Sequence, residues 1–176
     1  MNKAGWNNRC PNSFRSQRPQ KKNDQQQNEY LMKKEDEPIV VEQIYEAPLE
    51  KVWEAISVRD KMTRWFFPNI PSFEPVVGFE TRFVIQVEDR TFPHLWKLTE
   101  VIPLKKLAYE WQFEGYPGRG ISVFELGEEW QGTKLRLTFT VLEKFPDNIP
   151  EFKRESGVAG WNYFIRESLK EYLEES

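Results

Sequence analysis

One cysteine and one histidine in 176 residues leave little material for redox, nucleophilic or metal chemistry. Cys10 has no second thiol in the chain, so neither an internal disulfide nor a Cys-x-x-Cys site can form. His94 with a distant Cys10 does not supply the convergent ligands a metal needs. No Gly-x-Ser-x-Gly elbow is present, and GYPGRG at 115–120 lacks the Lys-Ser/Thr of a phosphate loop. No apolar run nears the ~20 residues of a membrane helix, and no secretory apolar segment opens the chain. The expectation is a cytoplasmic protein with no metal, no cofactor and no membrane span.

Aromatic residues, by contrast, make up 15% of the chain, enough for a sizeable core. They are sparse at the front, where residues 1–37 form a polar and basic extension ahead of an ordered domain at 38–176. Before Met32 six basic residues stand against two acidic ones, a net +4; the whole chain carries −3, so the remainder carries −7. An acidic domain disfavours nucleic acid as a partner, except through the basic tail. Three readings of the extension stay open: a disordered segment with no specific role, a start upstream of the real one at Met32, or an RNA- or partner-binding arm through RSQRPQKK with Trp6 and Phe14. The Gln/Asn bias spoils the amphipathicity of a transit peptide.

In the remainder, IVVEQIYE from Ile39 predicts a strand. Leu49, Val52, Trp53 and Ile56 then recur at helical spacing behind Pro48, and RDKMTRWFF predicts a second short helix stopped by Pro68. From Phe79 to Lys144 the pattern alternates. Phe83 and Ile85, then Phe92, His94, Trp96, Leu98, Glu100 and Ile102, then Leu107, Tyr109, Trp111 and Phe113, then Leu135, Leu137, Phe139 and Val141, fall on inward faces if the strands are regular. Connections this short predict an antiparallel meander.

The chain closes on an amphipathic helix whose inner half holds Gly157, Val158, Trp161, Phe164, Ile165, Leu169, Tyr172 and Leu173. Gly157 and Gly160 predict a packing or bending reason, and Asn148 with Glu151 predicts a cap before it. The fold class is therefore α+β: a curved antiparallel sheet wrapped around a long C-terminal helix, with two short helices after the first strand.

Three stretches carry a resemblance. LEKVWEAISVRDKMTRWFFPN, LTEVIPLKKLAYEW and SGVAGWNYFIRESLKEYLE are similar to segments of the activator of heat-shock protein 90 ATPase homologue-like family, within the START-like (SRPBCC, helix-grip) superfamily. The similarity spans roughly Pro38 to Glu175. It implies the helix-grip fold, a small hydrophobic molecule held between helix and sheet, or a chaperone as partner with a role in the stress response. The extension of about 37 residues is too short and too polar to supply the separate chaperone-binding domain of the family's namesake.

The residues expected around such a ligand are Phe66, Phe83, His94, Trp96, Glu100, Tyr109, Trp111, Phe113, Phe139, Trp161, Phe164 and Ile165. The same rings fit a plain core. His94 fits a polar anchor at the cavity mouth, a general base, or a partly buried histidine beside Pro93. Glu100, on the inner face of a regular strand, would orient a ligand or donate a proton; its alternatives are an ion pair with an arginine such as Arg82 or a place near the sheet edge. Binding without catalysis is the leading expectation. A chaperone-associated protein is the second, and a cyclase- or dehydratase-like enzyme using Glu100 with His94 or Tyr109 is the third. No residue is assigned a catalytic role.

Overall fold

The computed structural model describes residues 37–175. The expectations for Cys10, Met32 and the basic arm lie outside them.

Strand β1 (Ile39–Tyr45) leads into helices α1 (Leu49–Ser57) and α2 (Arg59–Trp65). Five strands follow: β2 (Glu80–Val87), β3 (Arg90–Ile102), β4 (Lys106–Phe113), β5 (Arg119–Glu129) and β6 (Gly132–Glu143). They form one antiparallel sheet in the order β1-β6-β5-β4-β3-β2. The meander follows from short connections. The place of β1 beside β6 does not: the two helices carry the chain from one edge of the sheet to the other, so the first strand pairs with the last, Ile39 opposite Phe139 and Tyr45 opposite Thr133.

One irregularity changes a face. In β3, Leu98 lies opposite Tyr109 but Glu100 lies opposite Ala108, so Thr99 is an extra residue. Its hydroxyl donates to the Ala108 carbonyl at 3.3 Å. Because side chains alternate with a period of two, one inserted residue exchanges the faces of everything beyond it. Glu100 and Ile102, expected inward, are turned outward; Val101 packs against the core in their place, and Ile102 is 41% exposed.

The terminal helix crosses the inner face in three consecutive pieces: α3 (Arg154–Asn162), a π-helical turn (Tyr163–Ser168) and α4 (Leu169–Glu175). Trp161, Ile165, Leu169 and Leu173 are buried, the stripe that helical spacing predicts. Gly157 has a packing reason, since a Cβ there would stand 3.1 Å from Ile39 Cδ1; a Cβ at Gly160 would meet nothing. The expected cap is corrected. No side chain caps the short 3₁₀ turn (Pro150–Phe152) or α3, and Glu151 accepts from Arg90 instead.

Hydrogen bonds fasten the helix along its length, and Arg154 at its start donates to the Glu37 carbonyl. Tyr45 Oη donates to the Ile165 carbonyl at 2.6 Å, Ser168 Oγ to the Trp65 carbonyl at 2.5 Å, and Lys51 Nζ to the Leu173 carbonyl at 3.0 Å. Trp65 Nε1 donates to the Ala55 carbonyl at 2.8 Å, holding α2 on α1. The result is an α+β helix-grip fold.

Candidate functional site

The inner face is built from every second residue of β2 to β6. Across β2, β3 and β4, Thr81 lies opposite Trp96, and Trp96 opposite Trp111. One row along, Leu98, Tyr109, Ser122 and Phe139 succeed one another from β3 to β6. Trp96 and Tyr109 are 1% exposed, and their ring centroids are 4.7 Å apart.

Against these rings stand aromatics from the helices. Phe66, just after α2, lies 5.5 Å from Trp96, 5.8 Å from Trp161 and 4.7 Å from Phe164. Trp111 meets Trp161 at 5.5 Å, and Phe139 meets Trp161 at 6.0 Å. Centroid separations of 4.5–7 Å are those of rings in contact. The space between helix and sheet is thus lined, and to a large extent filled, by aromatic side chains. Every residue of the predicted set except Glu100 belongs to this inner group. Ile165 is buried in the same core, and its carbonyl accepts from Tyr45.

Burial divides the group in two. Phe66, Phe83, Trp96, Tyr109, Trp111 and Trp161 are buried, whereas Phe113, Phe139 and Phe164 are half-buried and form a rim. Phe67 completes that rim, 5.2 Å from Phe164 and 5.9 Å from Trp111. Sequence reasoning placed Phe67 only as the end of a helix before Pro68; the signal was the unbroken Trp-Phe-Phe run. It also missed Phe152, which packs at 4.9 Å on Phe113 and brings the β6–α3 link onto the same end.

His94 sits among the rings of Phe83, Phe67 and Phe113, at 4.8, 5.2 and 4.7 Å. It is 5% exposed, and Nδ1 lies 2.9 Å from the Phe92 carbonyl. A carbonyl only accepts, so Nδ1 carries the proton. Burial pulls the imidazole down from its ordinary 6.5 to about 4, against the smaller opposing effect of that hydrogen bond. At neutral pH the ring is uncharged and Nε2 is left as an acceptor.

Glu100 is corrected. Turned outward by the bulge, it pairs with Lys106 at 2.8 Å, and not with Arg82, whose partner is Glu114. The neighbouring outer face carries further ion pairs, Lys97 with Glu80 and Arg119 with both Glu110 and Glu143. Charge lies on one side of the sheet and aromatic surface on the other.

Four polar atoms of the inner face have essentially no contact with solvent and no hydrogen-bond partner among the described residues: Thr81 Oγ1, Trp96 Nε1, Tyr109 Oη and Ser122 Oγ. Sequence reasoning did not single out Ser122; the signal was its place in alternation with Phe124 and Leu126. Burial pushes the Tyr109 phenol well above its ordinary range, so it stays protonated.

A separate cleft of about 160 Å³ lies at the other end of the helix, between Gln43–Ala47 of the edge strand and its following turn, and Lys170, Leu173 and Glu174. None of the predicted residues lines it. Among the described residues no three His, Cys, Asp or Glu gather as a metal site, and no helix is long and apolar enough to cross a membrane.

The model of the family described as Activator of Hsp90 ATPase homolog 1-like protein matches residues 46–174. No curated protein matches the chain. Solved structures share the fold at low identity. Protein CV1439 from Chromobacterium violaceum is 20% identical with a TM-score of 0.65, covering 78% of this chain and 96% of its own. MLL2253 from Mesorhizobium loti is 24% identical with a TM-score of 0.62, over 79% and 98%. BH1534 from Bacillus halodurans is 24% identical with a TM-score of 0.61, over 77% and 96%.

Proposed function

The chain belongs to the Activator of Hsp90 ATPase homolog 1-like family, and from that premise we propose that it binds a small hydrophobic molecule between its terminal helix and its sheet, without performing chemistry on it. The observation that carries this reading is the rim. Phe67, Phe113, Phe139 and Phe164 are half-buried rings continuous with a fully buried aromatic cluster. Apolar surface left to water on such a rim favours a ligand that covers it, by roughly 25 cal/mol per Å². Phe67 and Phe164 belong to the helical side, Phe113 and Phe139 to the sheet, so a ligand covering these rings touches both. His94 adds one uncharged polar atom beside the rim.

The test is a titration with N-phenyl-1-naphthylamine, a neutral apolar fluorophore. Saturable enhancement at one probe per chain, lost in Trp111→Ala, is expected. A flat titration with the folded protein would refute the reading.

A second reading, docking on a chaperone, has one observation of its own. Trp130, at the β5–β6 turn beside Glu128 and Glu129, is 98% exposed. An indole this open is the kind of anchor that protein interfaces bury. Stimulation of a purified chaperone ATPase by the wild type and not by Trp130→Ser would support it; no stimulation at large excess would remove it.

A further inference from the structure

The orphaned polar atoms inside the grip form a pattern. Thr81, Trp96, Tyr109 and Ser122 come from four adjacent strands, β2 to β5, and are 6, 1, 1 and 0% exposed. Thr81 is directly opposite Trp96, Tyr109 directly opposite Ser122, and the rings of Trp96 and Tyr109 touch. Native interiors pair nearly all their buried polar groups, and each one left unpaired is destabilising. Four at neighbouring positions make a polar strip across a largely apolar inner face.

The chemistry of the strip narrows what can satisfy it. An indole N–H only donates, so its partner must accept. The three hydroxyls can donate as well. An anion is disfavoured: Arg82, Lys97, Lys106 and Arg119 are engaged with carboxylates on the opposite face of the sheet, and His94 is neutral. A carboxylate placed here would be a desolvated charge without a counter-ion. A pure hydrocarbon would leave every donor orphaned.

Resting on the reading of the grip as a ligand site, we propose that its ligand is an uncharged apolar molecule bearing a carbonyl or ether oxygen, which accepts hydrogen bonds from one or two of the donors Trp96 Nε1, Tyr109 Oη and Ser122 Oγ. The strip fixes the orientation of the molecule and the rings supply its apolar contact. Discrimination of this kind is steep, because a ligand without the oxygen leaves buried donors unpaired.

The test uses the full chain with N-phenyl-1-naphthylamine as reporter and three competitors of similar size: benzophenone, diphenylmethane and diphenylacetate. Benzophenone is expected to displace the probe at about a tenfold lower concentration than diphenylmethane, as one or two net hydrogen bonds imply. Diphenylacetate is expected to compete least. The carbonyl stretch of bound benzophenone should fall below its frequency in alkane solvent. Tyr109→Phe, which keeps the ring, and Ser122→Ala should each narrow the gap between ketone and hydrocarbon without weakening diphenylmethane. Probe binding with equal displacement by ketone and hydrocarbon, or an unshifted carbonyl stretch, would overturn this proposal alone and assign the strip to buried water. Absence of probe binding would remove the ligand site itself, and the proposal with it.

Discussion

The phenol of Tyr45 and the carbonyl of Ile165, 120 residues apart, meet in a 2.6 Å hydrogen bond that ties the edge strand to the π-helical turn of the terminal helix. Burial pushes this phenol up, so it remains a donor at ordinary pH. Tyr45→Phe keeps the ring and leaves the carbonyl without that partner. It should lower stability by about 1–2 kcal/mol, read as a shift of the urea midpoint at unchanged slope.

His94 predicts a pH dependence. Its imidazole titrates near 4 when folded and at 6.5 otherwise, so between those values the unfolded chain takes up a proton that the folded chain refuses. The contribution is therefore complete above about pH 6.5 and is lost as pH falls towards 4, by up to about 3 kcal/mol. Urea midpoints of wild type and His94→Gln across that range should converge as the pH drops. Parallel curves would contradict the burial of this ring.

Rim and interior should separate energetically. Trp96 is 1% exposed and touches Phe66, Phe67, Phe83, Tyr109 and Trp111, so Trp96→Ala should cost about 3–5 kcal/mol. Phe139 is half-buried, and Phe139→Ala should cost roughly half as much while still impairing probe binding. Chemical denaturation beside probe titration distinguishes the two.

Gly132 begins β6 at φ +139°, and a Cβ there would stand 2.0 Å from the carbonyl oxygen of Tyr45. Both the conformation and the space require glycine. Gly132→Ala should lose about 2–4 kcal/mol and perturb β1, since the obstructing atom is backbone. A thermal unfolding curve like that of the wild type would contradict the β1–β6 register.

Much of this architecture was legible because it is periodic. Alternation found the strands, and the spacing of Trp161, Ile165, Leu169 and Leu173 found the helix face. What escaped has no period. The pairing of β1 with β6 depends on where two helices carry the chain, and the bulge at Thr99 is one backbone choice inside a run of residues that all suit a strand. That single choice removed Glu100 from the predicted site. Phe67 escaped for a related reason: it follows α2, where neither helical nor strand spacing assigns a face.

Thr99 also decides which proton chemistry the two sides of the sheet can support. With the extra residue in place, the carboxyl of Glu100 is held by Lys106 on the outer surface. The acid that a cyclase-like reaction would draw on is parted from the aromatic chamber by the thickness of a strand. Were β3 regular there, with Thr99 paired to Ala108, Glu100 would lie opposite Leu107 on the inner face, so one backbone choice decides whether the aromatic side of the sheet carries an acid.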